Sequence, residues 1–179
     1  MEQIAITNKS NVLTQYGLLA ALASILVFVI LYLGGTSFFG SPIAFISYAV
    51  PIGFAVFACI KAKKENEGFL PFKSALKICF GIFVMCAFAT SLLSYILFNF
   101  IDPGFKDSML QLTIENTQKM MAKFGASQDT IDKAVQGMLS KDMFSIGSIA
   151  QSFVFGCIFW FVIALIVAAI MKKNRPEFA

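Results

Sequence analysis

The chain has 179 residues, of which 58% are hydrophobic and 21 are Phe, and its mean hydropathy is +0.79. Soluble domains are usually close to half apolar, so this composition indicates a membrane protein. The formal net charge is +4, but the basic residues flank apolar runs instead of forming one patch, which argues against a nucleic-acid partner.

The N-terminal part of the chain predicts a polar start followed by a first span. Residues 1–14 are predicted to form a cytoplasmic N-terminus, with Ser10 or Asn11 as a helix cap. Span one is predicted over Gln15–Leu33, and its near-bilayer length favours an uncleaved span over a signal peptide. The uncharged connection Gly34–Ser41 is short, so spans one and two are expected to form an antiparallel pair.

Span two is predicted over Pro42–Ile60 and carries a second proline. Pro42 suits a first helical turn, where its missing N–H costs nothing. Pro51 lies mid-span, where it should kink the helix and free a carbonyl near Ser47, whose hydroxyl is expected to compensate. We interpret the kink as structural, with a gate or a binding site as the alternative.

A basic cytoplasmic loop, residues 61–73, precedes span three, which is predicted over Ser74–Phe100. Together the three spans and this loop occupy residues 15–100. The second half of span three carries a polar strip, because hydroxyl and amide side chains recur there at helical spacing. Such a strip usually hydrogen-bonds to a neighbouring helix, and ligand binding is the alternative. The strip consists of Thr90, Ser91, Ser94, Tyr95 and Asn99.

Residues 101–145 form the one long polar segment, and they predict a two-helix extracytoplasmic hairpin. Asp102 with Pro103 suits the start of its first helix, Gly125 its left-handed end, and Ser127 the cap of the second. Its apolar stripes are expected to pack on each other and on the membrane surface. As a hypothesis, they bind a partner protein or a second copy of the chain; a lipid- or substrate-binding lid is the third possibility. The residues of this hypothesis are Phe105, Met109, Leu112, Met120, Phe124, Ile131, Val135, Met138 and Leu139.

Span four is predicted over Ile146–Met171, followed by a short cytoplasmic tail, residues 172–179. The positive-inside rule then places both termini and the basic loop in the cytoplasm, because the polar segment 101–145 is nearly balanced in charge. The residues expected at the cytoplasmic membrane surface are Lys61, Lys63, Lys64, Lys73, Lys77, Lys172, Lys173 and Arg175.

Residues that carry chemistry are scarce. The chain has no His, the commonest general base and metal ligand. Its four cysteines, Cys59, Cys79, Cys86 and Cys157, fall in apolar runs without a Cys-x-x-Cys pair, so we expect no disulfide, metal or cofactor. Cys79 and Cys86 could share a helix face. No charged residue lies in the middle of a span, which disfavours a transporter.

Two segments resemble a known family. They are the run 68–77, GFLPFKSALK, which opens span three, and the run 95–103, YILFNFIDP, which closes it. A Met- and Gln-bearing helix and a Gly-Ala-Ser-Gln-Asp turn follow. Together they resemble the bacterial four-span family, mostly from Bacteroidota, known as domain of unknown function 4199, over nearly the whole chain. The resemblance implies a bacterial inner-membrane protein with an envelope partner and transfers no active site.

These observations predict an all-α membrane protein with four transmembrane helices and a two-helix extracytoplasmic hairpin between spans three and four. The expected function is non-enzymatic: an accessory or scaffold subunit that binds another envelope protein or itself. The alternative is a lipid or lipid-linked-sugar handling protein, in which the span-three strip and the Pro51 kink line a cavity.

Overall fold

The computed structural model describes residues 2–140 and 142–174, and for residues 2–10 it describes the backbone alone. Arg175 and the rest of the predicted tail lie outside the described residues. The described part is all-helical, as predicted, and contains no strand. Pro42–Phe45 forms a 3-10 turn and Leu97–Ile101 a π-helical turn. The α-helices are α1 Glu2–Leu33, α2 Thr36–Phe39, α3 Ile46–Glu65, α4 Phe72–Ile96, α5 Pro103–Lys123, α6 Gln128–Leu139 and α7 Ile146–Met171.

Four stretches of the described chain are long and apolar enough to cross a membrane. They are Asn11–Leu33, Pro42–Glu65, Phe72–Ile101 and Ile146–Met171, which confirms the predicted four-span organisation. The predicted cap at Ser10 or Asn11 is wrong, because α1 runs unbroken through this region. Residues 2–14 contain neither Gly nor Pro, so nothing in their backbone stops the helix.

The prediction for the proline in α3 is wrong in one respect, the role of the Ser47 hydroxyl. α3 continues through Pro51, which is buried. The Ser47 hydroxyl donates to the carbonyl of Ala44, one turn earlier, so it does not compensate a carbonyl released by the proline. Pro42 does occupy a first turn, as expected, where the Ser41 hydroxyl caps the 3-10 segment.

α4 is the central helix and packs against α1, α3 and α7. α1 and α4 approach closely where Gly17 faces Met85 and where Gly81 faces Leu13; a Cβ on Gly81 would lie 2.6 Å from the Leu13 side chain. The best-packed core lies in the half of the bundle nearest the α3–α4 loop. Its fully buried side chains include Ala55, Ala58, Cys59, Leu70, Ala75, Cys79, Ile82, Phe83, Ala164 and Ala168.

The basic loop and the segment after α7 meet at one end of the bundle. The backbone N–H groups of Leu70 and Lys173 each donate to the other's carbonyl at 2.8 Å. The Lys173 ammonium also lies 5.7 Å from the centre of the Phe69 ring. These contacts bring together the two basic segments that sequence analysis assigned to one side of the membrane. We call this the basic end.

At the opposite end, α5 and α6 follow α4 and are bounded by the predicted residues. The Asp102 carboxylate accepts from the N–H of Phe105 at 3.0 Å, and Pro103 occupies the first turn of α5. Gly125 has a φ of 76°, in the left-handed region that glycine tolerates. Ser127 then caps α6. These local signals are readable from sequence because caps and helix terminators depend on neighbouring residues.

Candidate functional site

A cavity of about 390 Å³ lies between α1, α3, α4 and α7, in the half of the bundle that faces away from the basic end. Most of the side chains that line it are apolar or aromatic, Trp160 among them, and every lining residue is uncharged. We call it the hydroxyl cavity because serine and threonine side chains from three helices converge on it. They are Ser24, Ser47, Thr90, Ser91 and Ser94.

Three of these hydroxyls donate hydrogen bonds to backbone carbonyls three or four residues earlier in the chain. Thr90 Oγ1 donates to the carbonyl of Cys86 at 2.9 Å, and Ser94 Oγ donates to the carbonyl of Thr90 at 2.8 Å. The Ser47 hydroxyl donates to Ala44. A hydroxyl has one proton and two acceptor lone pairs, so these three oxygens retain accepting capacity at the cavity.

Ser24 differs from the other hydroxyls of the cavity. Its side chain is only 6% exposed, and its Oγ makes no hydrogen bond within the described part of the chain. The Cys86 thiol lies beside it, and a thiol is a weak hydrogen-bond partner. Buried polar groups without a partner are rare, because desolvating one costs about 1–3 kcal/mol. The Ser24 hydroxyl therefore has its proton and its lone pairs available at the cavity.

A second space, of about 370 Å³, lies next to the hydroxyl cavity along α4 and α7. It shares Thr90, Ser91, Ser94 and Trp160 with the first and extends to Met109 on α5. We call it the α4–α7 cleft. Because the same hydroxyl-bearing face of α4 lines both spaces, a ligand chain could leave the cavity along this cleft.

Aromatic rings stand where α3 meets α7. The centre of the Tyr48 ring lies 6.3 Å from that of Phe159 and 5.9 Å from that of Trp160. Tyr48 and Phe159 are about half exposed on the surface that would face lipid. Tyr48 and Trp160 also line the hydroxyl cavity, so these rings separate it from the bilayer.

The first turn of α5 is held on the end of the bundle by an aromatic cluster. The Phe105 ring lies 5.0 Å from that of Tyr32 and 6.0 Å from that of Phe98, and Phe98 contacts Phe144 at 4.7 Å. The Tyr32 hydroxyl donates to the Asp102 carboxylate at 2.9 Å. Asp102 therefore caps α5 and ties it to α1 at the same time.

An ion pair joins α5 to the segment before α7. The Lys106 ammonium lies 2.9 Å from the Asp142 carboxylate. Lys106, together with the Phe144 backbone N–H, lowers the pKa of Asp142 from its ordinary 3.8. Asp142 is half exposed, so the pair orients α5 more than it stabilises the fold.

The residues of the predicted polar strip lie in different surroundings in the structure. Thr90, Ser91 and Ser94 line both cavities, and Pro51 lines the first, which brings together two features that sequence analysis linked. The expectation that the strip bonds to a neighbouring helix is wrong for Thr90 and Ser94, because back-bonding to a carbonyl one turn earlier is available inside α4. Asn99 does bridge outward and donates to the carbonyl of Phe144 at 3.0 Å.

Tyr95, the fifth member of the strip, lies on another surface. With Ser91, Phe88 and residues of α7 it lines a shallow apolar groove.

Of the apolar residues predicted for partner binding, some pack inside the protein and others are exposed. Met109 lines the α4–α7 cleft with Phe105 packed close by, Leu112 faces Gly40, and Ile131 is buried. Val135 and Met138 are half-buried. Three residues remain open to the surroundings: Met120 at 54%, Phe124 at 86% and Leu139 at 61% exposure.

Two cysteines come together where sequence reasoning did not pair them. Cys59 on α3 and Cys79 on α4 are fully buried, are free thiols, and have their sulfurs 3.5 Å apart. Sequence reasoning considered Cys79 with Cys86 instead, because spacing along one helix is visible in a sequence and contact between helices is not. Within residues 2–140 and 142–174, no three His, Cys, Asp or Glu side chains group as metal ligands.

Comparison with models of protein families gives a match. The model of a family described as "Protein of unknown function (DUF4199)" matches residues 15–173. Searches of curated proteins and of solved structures found no match.

Proposed function

Because the chain belongs to the DUF4199 family, whose function is unknown, we propose from the cavity that it is a non-enzymatic membrane protein that binds a lipid between its spans. One observation carries the proposal: Ser24 Oγ is buried without a hydrogen-bond partner in the described chain, and it lies in a cavity lined by four further Ser and Thr hydroxyls. The volume, about 390 Å³, lies within the range of small-molecule sites, about 300–1,000 Å³.

The site's surroundings favour a lipid over a water-soluble ligand. The cavity lies among helices that are long and apolar enough to span a membrane, and its walls are largely apolar. The α4–α7 cleft lies beside it and reaches α5, where a ligand's chain would emerge. The lipid-handling alternative from sequence is thus the function that the geometry supports best.

The proposal is tested by native mass spectrometry of the full chain, purified in mild detergent. Ala87 lines both cavities, so Ala87→Phe places a bulky side chain in both. Ala169→Phe, on an exposed part of α7, is the matched control. We expect the parent chain and the control to retain one bound lipid and Ala87→Phe to lose it. Equal retention by both variants, or no retained lipid in the parent, contradicts the proposal.

The proposed orientation follows from charge. The two basic segments, joined by the Leu70–Lys173 pairing, would face the cytoplasm of a bacterial inner membrane, with both termini inside. α5 and α6 would then form an extracytoplasmic hairpin over the mouth of the α4–α7 cleft. In this arrangement the hydroxyl cavity lies in the outer half of the bilayer.

A second candidate is the accessory or scaffold role. It is favoured by the exposure of Met120, Phe124 and Leu139, which lie outside the four candidate spans. Exposed apolar residues beyond the bilayer are suited to a protein contact, which a second copy or an envelope protein would supply. In the same mass spectra, a second protein mass at a constant ratio, without lipid, would favour this role over lipid binding.

A further inference from the structure

We propose that the ligand of the hydroxyl cavity is an uncharged lipid alcohol, whose free hydroxyl bonds to Ser24 and to the oxygens of α4. The inference rests on the proposed function and specifies its ligand class. It follows from the hydrogen-bonding capacity and the charge of the residues that line the cavity.

The hydrogen-bonding capacity of Ser24, Thr90 and Ser94 favours a guest that can both donate and accept. Thr90 and Ser94 have given their protons to backbone carbonyls, so at the cavity they can only accept. Ser24 still has its proton to donate. A free alcohol accepts from Ser24 and donates to Thr90 or Ser94, so it satisfies both needs. An ester or ether oxygen accepts only, so it would bond to Ser24 and form no hydrogen bond with the oxygens of Thr90 and Ser94.

Charge excludes the phosphorylated counterparts of such a lipid from the cavity. None of the lining residues is Lys, Arg, Asp or Glu. An ionised phosphate moved into an apolar region without a cation loses its hydration and gains no paired charge, which is strongly unfavourable. The lysines at the basic end lie beyond the opposite half of the bundle and cannot pair with it. A lipid-linked phosphosugar therefore fits the cavity poorly.

The single tryptophan makes this testable. Trp160 is the only Trp in the chain and lines both cavities, so its fluorescence reports on this site. The full chain in nanodiscs is titrated with diacylglycerol whose acyl chains carry bromine, a quencher of tryptophan. The same brominated chains are tested in acetylated diacylglycerol and in phosphatidic acid. We expect saturable quenching by diacylglycerol at about tenfold lower concentration than by either derivative, because each loses hydrogen bonds or adds charge.

A long-chain isoprenoid alcohol and its phosphate are then used as unlabelled competitors. Displacement of the brominated diacylglycerol by the isoprenoid alcohol, and not by its phosphate, assigns the site to isoprenoid alcohols. Lack of displacement assigns it to glycerolipids. Both results support an alcohol ligand, and stronger displacement by the phosphate overturns it.

The variant that tests the contact is Ser24→Ala, with Ser37→Ala on the surface helix α2 as its control. Loss of one hydrogen bond should weaken diacylglycerol binding by about fivefold and reduce the preference over the acetylated form. Ser37→Ala should change neither. Thermal unfolding of both variants verifies that each is folded.

The two proposals fail separately. If Ala87→Phe abolishes quenching while alcohol, acetylated and phosphorylated lipids bind the parent chain equally, the alcohol assignment is overturned and lipid binding stands. If no brominated lipid quenches Trp160 saturably, both are overturned.

Discussion

Asp102 makes two structural contacts at the junction of α4 and α5. Substituting it by Ala or by Asn distinguishes the effect of these hydrogen bonds from the effect of its charge. It accepts from the backbone N–H of Phe105 at 3.0 Å and from the Tyr32 hydroxyl at 2.9 Å. Asp102→Ala removes the cap and the contact with α1, and should lower stability by about 1–3 kcal/mol. Asp102→Asn keeps an accepting oxygen at the cap and should cost less than half as much. Thermal unfolding in detergent measures both, and equal losses would contradict this account.

The residue scale also shows what a sequence reveals. Asp102 and Ser127 were predicted as caps because a cap depends on residues two or three positions away. Ser24 was not singled out, since a lone serine in an apolar run is ordinary. Ser24 becomes notable only because it lines a cavity between four helices, and no local sequence pattern predicts such a cavity.

At the scale of elements, periodicity predicted α4 and its polar strip well, because one helix sets the spacing of Thr90 and Ser94. It did not predict the partners, since both hydroxyls turned back to their own helix. The division of the α5 stripe, with Phe105 packed inward and Phe124 exposed, was also invisible. Amphipathic spacing identifies a face and leaves its neighbour unspecified.

The packing of α3 against α4 predicts that Cys59 and Cys79 can be joined by oxidation. The sulfurs of Cys59 and Cys79 lie 3.5 Å apart in the core. In a Cys86→Ser, Cys157→Ser background, the membrane-permeable oxidant iodine should join them, forming one S–S bond with loss of both thiol protons and reduction of iodine to iodide. Alkylation after denaturation should then find no free thiol. A Cys59→Ala variant of the same background should keep Cys79 alkylable, and two remaining thiols in the parent background would show that α3 and α4 are packed differently.

The packing of the whole molecule differs between its two ends. The half near the basic end holds the fully buried residues of the core, whereas the other half holds the two cavities. Ala55, Ala58 and Ala75 allow the helices to approach closely at the first half. At the second, the aromatic cluster around Phe98 and Phe105 joins α5 to the bundle. The well-packed half therefore fixes the helices, and the proposed ligand site lies in the half that is packed less fully.

The orientation of this uneven bundle decides which leaflet supplies the ligand, and it can be measured directly. A phosphatase that is active only after export should be active when fused at Gly125, between α5 and α6, and inactive when fused at Glu67 in the basic loop. A fluorescent reporter that folds only in the cytoplasm should give the opposite pair. The reason is that the segments carrying the lysines of the loop and those after α7 meet at one end, and the positive-inside rule predicts that this end stays in the cytoplasm. Active phosphatase at Glu67 would invert the molecule, and the hydroxyl cavity would then draw its ligand from the inner leaflet.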